Sequence, residues 1–269
     1  MLLLVDLDGV VYRGSEPVDG VAEVLQARAT AGDRVMYVTN NSRSHRDEYH
    51  ARLARMGVPL DERSVVTAAR ATAVLVAELD PAPRVVMFIG GPGLAQELRD
   101  AGLEVVGPVE EGLAKDPDVL VVGVDFELSY QRLSIAVEAV RRGARFVATN
   151  RDPLFPAEAR LTAGAGAMVA AIAAAAGREP DLVVGKPEPR LFEAAAEIAG
   201  MDVRDAVVIG DNLLTDIGAA HAVGARSILM LTGVTAPEEA EAAPPDRRPT
   251  AIAADAGELA ARLRDLGSS

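Results

Sequence analysis

The chain has 269 residues, of which 49% are hydrophobic and 25% charged, as is usual for a globular protein. Cysteine is absent, which excludes disulfide scaffolds, cysteine-based metal sites and thiol nucleophiles. The formal charge is −13, and no run of Lys or Arg exceeds two residues, so nucleic-acid and anionic membrane partners are not expected.

The first residues, Met1–Val5, form an apolar run that leads directly into Asp6. A signal peptide would need a basic start and a longer apolar core, so this run predicts a buried strand. The longest nearly apolar stretch, 164–177, is well short of the ~20 residues of a membrane span. We therefore expect a cytoplasmic protein with no membrane partner.

Short β-branched runs alternate with helical patterns along the chain. In chain order we predict strand 2–6, helix 21–31, strand 34–39, helices 46–56 and 64–79, strand 85–89, helix 93–101, strand 119–124, helix 130–142, strand 144–149, helix 166–176, strand 182–184, helix 189–199, strand 206–209, helix 215–223 and strand 227–231. Strands alternating with helices form βαβ units, so the predicted fold class is α/β with a mostly parallel sheet.

Two Pro-containing stretches, 80–83 and 177–180, bracket two complete βαβ units. The simplest organisation is a smaller α/β domain, residues 81–180, inserted into a larger domain made of 1–80 and 181–269. Such insertions are tolerated where chain ends lie close together at a surface.

The first candidate for chemistry is Asp6-Leu7-Asp8-Gly9, at the end of the first predicted strand. Residues two apart on a strand share a face, and glycine allows a sharp turn after them. Two carboxylates placed in this way can share a metal, or can divide into a nucleophile and a proton donor. A solvated strand end with a turn is the alternative.

Three further strands end in polar residues. Thr39-Asn40-Asn41 could cradle a phosphate or simply cap a turn. Lys186 is one of two lysines in a chain that otherwise uses arginine, which favours a need for a compact ammonium group. Asp211 and Asp216 could hold Mg²⁺, or could cap a helix.

All four groups follow predicted parallel strands, and ligands bind at the carboxyl edge of open α/β sheets. Together they provide carboxylates, hydroxyl and amide groups and one ammonium. This set suits Mg²⁺-assisted phosphoryl transfer through an aspartyl phosphate.

With these motifs in this order, the chain resembles the haloacid dehalogenase superfamily. It is similar to the phosphatase branch that carries a large α/β cap and includes NagD-like and p-nitrophenylphosphate phosphatases. Further matching strings are Val122–Asp125, Ala148–Pro153, Gly164–Ala167 and Leu231–Thr235. The resemblance implies a Rossmann-like, doubly wound core with residues 81–180 as the cap.

The resemblance also implies roles for individual residues. Asp6 would be the nucleophile, and Asp8 the general acid and base. Mg²⁺ would be held by Asp6, by the backbone carbonyl of Asp8 and by Asp211. Lys186, held by Asp216, would neutralise charge on Asp6 and on the phosphate.

Substrate binding would fall to Lys186 and to Thr39, Asn40 and Asn41, which would grip the phosphoryl oxygens. Phe155 lies in the loop that contributes to leaving-group choice in this branch; core packing of the cap is the equal alternative. Relatives often dimerise through the cap, so a homodimer is a candidate state.

The expected activity is hydrolysis of a small phosphorylated metabolite. Sugar phosphates, glycerol phosphate, phosphoglycolate, nucleoside monophosphates and pyridoxal phosphate all stay open as substrates. The alternatives are a dehalogenase-type hydrolase, which would need neither Asp8 nor Asp211, and a non-catalytic sensor of phosphate ligands.

Overall fold

The computed structural model describes residues 1–157 and 160–267. The chain folds into two compact units. The first unit contains 1–39, 47–66 and 186–269, and the second contains 40–46 and 67–185.

The described strands are β1 (Leu2–Asp6), β2 (Tyr12–Arg13), β3 (Glu16–Pro17), β4 (Arg34–Thr39), β5 (Val65–Thr67), β6 (Val85–Ile89), β7 (Glu104–Val106), β8 (Val119–Val122), β9 (Arg145–Ala148), β10 (Leu154–Ala157), β11 (Arg160–Ala163), β12 (Leu182–Val183), β13 (Ala206–Gly210), β14 (Arg226–Met230) and β15 (Ala251–Ala253). The α-helices are α1 (Val21–Thr30), α2 (Arg46–Arg55), α3 (Ala68–Ala77), α4 (Pro92–Asp100), α5 (Glu110–Leu113), α6 (Tyr130–Arg141), α7 (Ala165–Ala176), α8 (Arg190–Ala199), α9 (Gly218–Val223), α10 (Pro237–Glu241) and α11 (Ala256–Gly267). A π-helix spans Leu213–Ile217, and short 3₁₀ turns span Val203–Asp205 and Pro245–Arg247.

A six-stranded sheet forms the frame of the first unit, in the order β15-β14-β13-β1-β4-β5. The central strand β1 pairs in parallel with both β13 and β4. All five of its residues are buried, which explains why the sequence of β1 is apolar up to Asp6. The chain progresses outwards in opposite directions on the two sides of β1 and β13, so the switch point of this doubly wound sheet lies between them.

The second unit has its own parallel sheet, in the order β12-β9-β8-β6-β7. A separate hydrophobic core covers it, in which residues of β8 and β9 pack against apolar side chains of α6 and α7. Two antiparallel strand pairs complete the described strands: β2-β3 in the first unit and β10-β11 in the second. These features confirm the predicted α/β class and its mostly parallel sheets.

The unit boundaries differ from the predicted ones. The predicted insertion, 81–180, lies inside the second unit, but this unit also takes 67–80, 181–185 and 40–46. The strand before Lys186, predicted to belong to the larger domain, is β12, which pairs with β9 in the second sheet. Residues 158, 159, 268 and 269, which fall in the predicted domains, lie outside the described residues.

The predicted helix 64–79 begins later in the structure, at Ala68. Val65, Val66 and Thr67 form a strand, because consecutive β-branched residues favour extended backbone. The hydroxyl of Thr67 then accepts a hydrogen bond from the backbone N–H of Arg70 at 3.0 Å and caps α3. The hairpins and the short strands β7 and β15 were missed, since two to four residues carry little periodicity.

No helix among the described residues is both long enough and apolar enough to cross a bilayer.

The second core can be tested through Phe146, a fully buried residue of β9. Phe146→Ala should lower the free energy of unfolding by about 3–5 kcal/mol, because it removes buried ring surface and leaves a cavity. Urea unfolding followed by circular dichroism measures the change. The matched control is Phe126→Ala, whose ring is 51% exposed and which should cost well under half as much. Equal losses in the two variants would contradict this description of the core.

Candidate active site

Strand register brings three of the predicted motifs together at the carboxyl edge of the first sheet. Val5 pairs with Ile209, and Asp6 pairs with Val38. Asp6 therefore ends β1 beside the positions from which Thr39 and Asp211 follow. This edge lies at the switch point, where doubly wound sheets bind their ligands.

Lys186 joins two of the predicted acidic residues. Its Nζ atom donates hydrogen bonds to Asp6 Oδ1 and to Asp216 Oδ1, each at 2.6 Å. All three side chains are buried. Burial lowers the pKa of Lys186, but the carboxylates of Asp216 and Asp6 outweigh it, so the pKa rises and the group stays an ammonium.

The side chain of Asp6 is buried and therefore poorly solvated. Its burial raises its pKa, the positive charge of Lys186 lowers it, and the carboxylates of Asp216 and Asp211 raise it further, with a net result above the ordinary value. Oxygens of Asp6, Asp211 and Asp216 all lie within 4.8 Å of one another. The ammonium group of Lys186 does not balance the charge of three carboxylates, so the cluster favours the binding of a further cation.

Asp211 is the first residue after β13, and close backbone contacts fix it. Its Oδ2 atom accepts a hydrogen bond from the backbone N–H of Val234 at 2.8 Å. A Cβ atom at Gly233 would lie 1.8 Å from this oxygen, and one at Gly9, whose φ is +82°, would lie 2.2 Å from it. Only glycine fits at either position, so both the first motif and the 231–235 string are shaped around Asp211.

A π-helix presents Asp216. Asn212 caps this helix, because its Oδ1 accepts hydrogen bonds from the N–H groups of Leu214 and Thr215 at 2.9 and 3.2 Å. Asn212 also donates its own N–H to Asp216 Oδ2 at 3.1 Å. The predicted helix 215–223 is thus a π-helix followed by α9, and single π turns are frequent at functional sites.

Asp8 is exposed and stands on the tight turn that follows β1. The turn closes through a hydrogen bond from Gly9 N–H to the Tyr12 carbonyl at 2.7 Å. Partial burial raises the pKa of Asp8, and the positive charge of Arg52 opposes this rise. The guanidinium of Arg52 lies over the Tyr12 ring, 3.5 Å from its centroid, so a residue of α2 that sequence reasoning missed contributes charge near Asp8.

The predicted phosphate-binding turn is divided between the units. Thr39 ends β4 in the first unit and is buried, whereas Asn40 and Asn41 begin the second unit. Asn40 Nδ2 donates to Asp152 Oδ2 at 3.0 Å, and Asn41 Oδ1 accepts from the N–H of Arg43 at 2.8 Å. The two carboxamides therefore have structural contacts within the second unit.

Phe155 lies on β10 in the second unit, half-buried against its core. Its ring meets Phe126 edge to face, with the centroids 5.4 Å apart. The guanidinium of Arg43 stands 4.8 Å from the centroid of Phe126. Phe155 therefore has both a core contact and a contact to a half-exposed ring.

The raised pKa of Asp211 predicts a pH dependence of stability in the metal-free chain. Burial and the neighbouring Asp216 carboxylate raise the pKa of Asp211 to about 7. The folded chain then binds the proton of Asp211 more tightly than the unfolded chain does. Protonation of Asp211 therefore stabilises the fold below about pH 4, and this stabilisation is lost as the pH rises towards 7. The loss is at most about 4 kcal/mol. Asp211→Asn should therefore stabilise the chain more at pH 8 than at pH 5, measured by urea unfolding in a chelator; an equal change at both values would contradict the assignment.

Comparisons with known proteins identify the family of this chain. The sequence model of haloacid dehalogenase-like hydrolases matches residues 3–104, and a second HAD-like hydrolase model matches residues 183–259. The chain is 40% identical to D-glycerol 3-phosphate phosphatase of Mycobacterium tuberculosis over 254 residues, which cover 94% of this chain and 69% of that protein.

Two solved structures are similar along nearly the whole chain. The p-nitrophenyl phosphatase from Archaeoglobus fulgidus matches with a TM-score of 0.89 and 32% identity, over 97% of this chain and 98% of that one. A glycerol phosphate phosphatase from Mycobacterium tuberculosis, solved in complex with magnesium, matches with a TM-score of 0.85 and 38% identity, over 96% and 75%. The chain therefore belongs to the haloacid dehalogenase-like hydrolases.

Proposed function

We propose that this protein is a Mg²⁺-dependent phosphomonoesterase that hydrolyses a small phosphorylated metabolite through a phosphoaspartate on Asp6. The observation that carries the proposal is the buried ion cluster, in which Lys186 donates to both Asp6 and Asp216 while Asp211 lies beside them. An anionic group can approach a nucleophilic carboxylate only where fixed positive charge offsets the repulsion. Since the whole chain carries −13, that attraction must be local.

The residues fit a magnesium ion. Hard divalent cations take carboxylate and carbonyl oxygens, and buried carboxylate oxygens within 4.8 Å of one another supply them. Both oxygens of Asp216 already accept hydrogen bonds, one from Lys186 Nζ and one from the N–H of Asn212, so Asp6 and Asp211 would hold the ion together with the backbone carbonyl of Asp8. When bound, the ion supplies positive charge next to the phosphoryl oxygens.

The first half of the reaction forms the phosphoenzyme. A carboxylate oxygen of Asp6 attacks phosphorus and forms the P–O bond as the ester P–O bond breaks. Asp8 donates a proton to the leaving alkoxide, for which its raised pKa is suited. Lys186, kept charged by Asp216, offsets the negative charge that spreads over the phosphoryl oxygens.

The second half regenerates the enzyme. Asp8, now a carboxylate, takes a proton from water as that water attacks phosphorus, and the Asp6–phosphorus bond breaks. Inorganic phosphate leaves and Asp6 is again a carboxylate. Thr39 and the turn 40–41 hold the phosphoryl group in line during both halves.

The second unit would act as a cap that excludes water and selects the leaving group. A glycerol phosphate is a first choice of substrate, because a 40% identical relative carries that activity in its name. The half-exposed pair Phe126 and Phe155 gives the second unit an apolar surface for the carbon skeleton of a leaving group. The cytoplasmic location and the homodimer stay predictions.

A panel of phosphate esters with Mg²⁺ tests the proposal by release of inorganic phosphate. Turnover of p-nitrophenyl phosphate should cease in a chelator and return with added Mg²⁺. Asp6→Asn should abolish turnover, because it removes the nucleophile. Asp8→Asn should lower the turnover rate by about 10²–10⁴-fold. The loss should be smaller with p-nitrophenyl phosphate, because its leaving group needs little protonation. Full activity of Asp6→Asn, or full activity in the chelator, would overturn the proposal.

The role of Phe155 can be separated from that of a core residue. Phe155→His should change the order of preference among esters and leave inhibition by free phosphate nearly constant, since the phosphate-binding residues are unchanged. If Phe155 only packs the core, the same variant would lower the melting temperature and depress activity on all esters alike. Phe146→His, at a fully buried position, is the control for that second behaviour.

A further inference from the structure

The residue that follows Thr39 is built into the second unit by side chains from the loop after β9. Asn150 Nδ2 donates a hydrogen bond to the backbone carbonyl of Asn40 at 2.7 Å. Asn150 Oδ1 accepts one from the N–H of Asp152 at 3.0 Å. Because both ends of this buried carboxamide are used, Asn150 cannot turn without losing two hydrogen bonds.

Asp152 holds the side chain of the same residue. Its Oδ2 atom accepts from Asn40 Nδ2 at 3.0 Å. A carboxylate only accepts hydrogen bonds, so it decides which end of the Asn40 carboxamide faces it. The other end, Oδ1, faces Gly185, where a Cβ atom would lie 2.7 Å away. Asn40 is thus held by hydrogen bonds at its carbonyl and at Nδ2.

The rest of the segment 40–46 is fastened to the same unit. The switch point of the second sheet lies between β6 and β8, and this segment fills it: a Cβ at Gly93 would lie 2.3 Å from the backbone N of His45, and one at Gly123 would lie 2.7 Å from Ser42 Oγ. Gly93 N–H, in the first turn of α4, donates to the Arg43 carbonyl at 3.0 Å. The glycine-rich start of α4 therefore packs directly against residues 43–45.

We propose that Asn150 and Asp152 are positioning residues for phosphate binding, which act through Asn40. The inference rests on the proposed function, in which the turn 39–41 grips the phosphoryl group. Donors stabilise a phosphoryl group only when their directions are fixed in advance, and small displacements cost large factors in rate. Since Asn40 donates to Asp152 and its carbonyl accepts from Asn150, these two residues set the position of Asn40 in the turn 39–41.

A double-mutant cycle tests this role. Asp152→Ala and Asn40→Ala should each weaken the binding of inorganic phosphate, and raise KM for p-nitrophenyl phosphate, by about tenfold, and the double variant should be no more than about twofold worse than either. Calorimetry with inorganic phosphate in Mg²⁺ and steady-state kinetics give the two readouts. The control is Asp118→Ala, which removes a carboxylate that accepts from the N–H groups of Arg84 and Val85 at the opposite end of the second sheet. It should lower the melting temperature and leave KM within about twofold.

A reciprocal exchange keeps the test valid if an alanine variant does not fold. Asn40→Asp places two carboxylates against each other and should weaken phosphate binding at least about tenfold. Adding Asp152→Asn restores one donor and one acceptor with the charge of the pair unchanged, and should return binding to within about threefold of the wild type. Additive losses in the cycle, or no rescue by the exchange, would overturn the proposal.

The outcomes also separate this inference from the proposed function. If the wild type hydrolyses no ester but binds phosphate, and the variants behave as expected, the phosphatase proposal falls and the positioning role stands. If the wild type hydrolyses esters and the variants bind phosphate normally, only the positioning role falls. A wild type that neither hydrolyses esters nor binds phosphate would overturn both.

Discussion

A buried ammonium group between two carboxylates is the interaction on which the catalytic cluster depends. Without Lys186, the carboxylates of Asp6 and Asp216 would be buried close together with their repulsion uncompensated. The positive charge of Lys186 lowers the pKa of Asp6, although burial and the neighbouring carboxylates hold that pKa above its ordinary value. The charge that holds the cluster together therefore also favours the ionised form of Asp6, the proposed nucleophile.

Close backbone packing around Asp211 and Asp216 is the second constraint. Gly9, Gly233 and Gly210 each stand where a Cβ atom would collide with one of these two side chains. Such crowding fixes the positions of both side chains. The charge of Asp216 is compensated by Lys186, whereas burial and the Asp216 carboxylate raise the pKa of Asp211. Close packing thus positions these side chains, and a bound cation would balance the remaining negative charge of the cluster.

The sequence predicted the α/β class, the main strands and the family, because β1, β4 and β13 are apolar runs that are followed by polar residues. It could not assign β12 to a sheet, since two residues carry no sign of their partner. Hydrophobic periodicity also gave no indication of the contacts of Arg52, Asn150 and Asp152. Each of these residues contacts a distant part of its own unit. Lys186, one of two lysines, could be singled out because the chain otherwise uses arginine and because it follows a predicted strand.

The order of the strands has a consequence for how the chain is made. Every strand of the second sheet lies between residues 85 and 183, so a ribosome releases that whole sheet in one continuous stretch. Strand β1, by contrast, emerges first but pairs with β13, about two hundred residues later. Contacts so distant in sequence form slowly, and unpaired apolar strands are prone to aggregate. Strand β1, which carries the proposed nucleophile, must therefore keep one edge unpaired until the second unit has been synthesised.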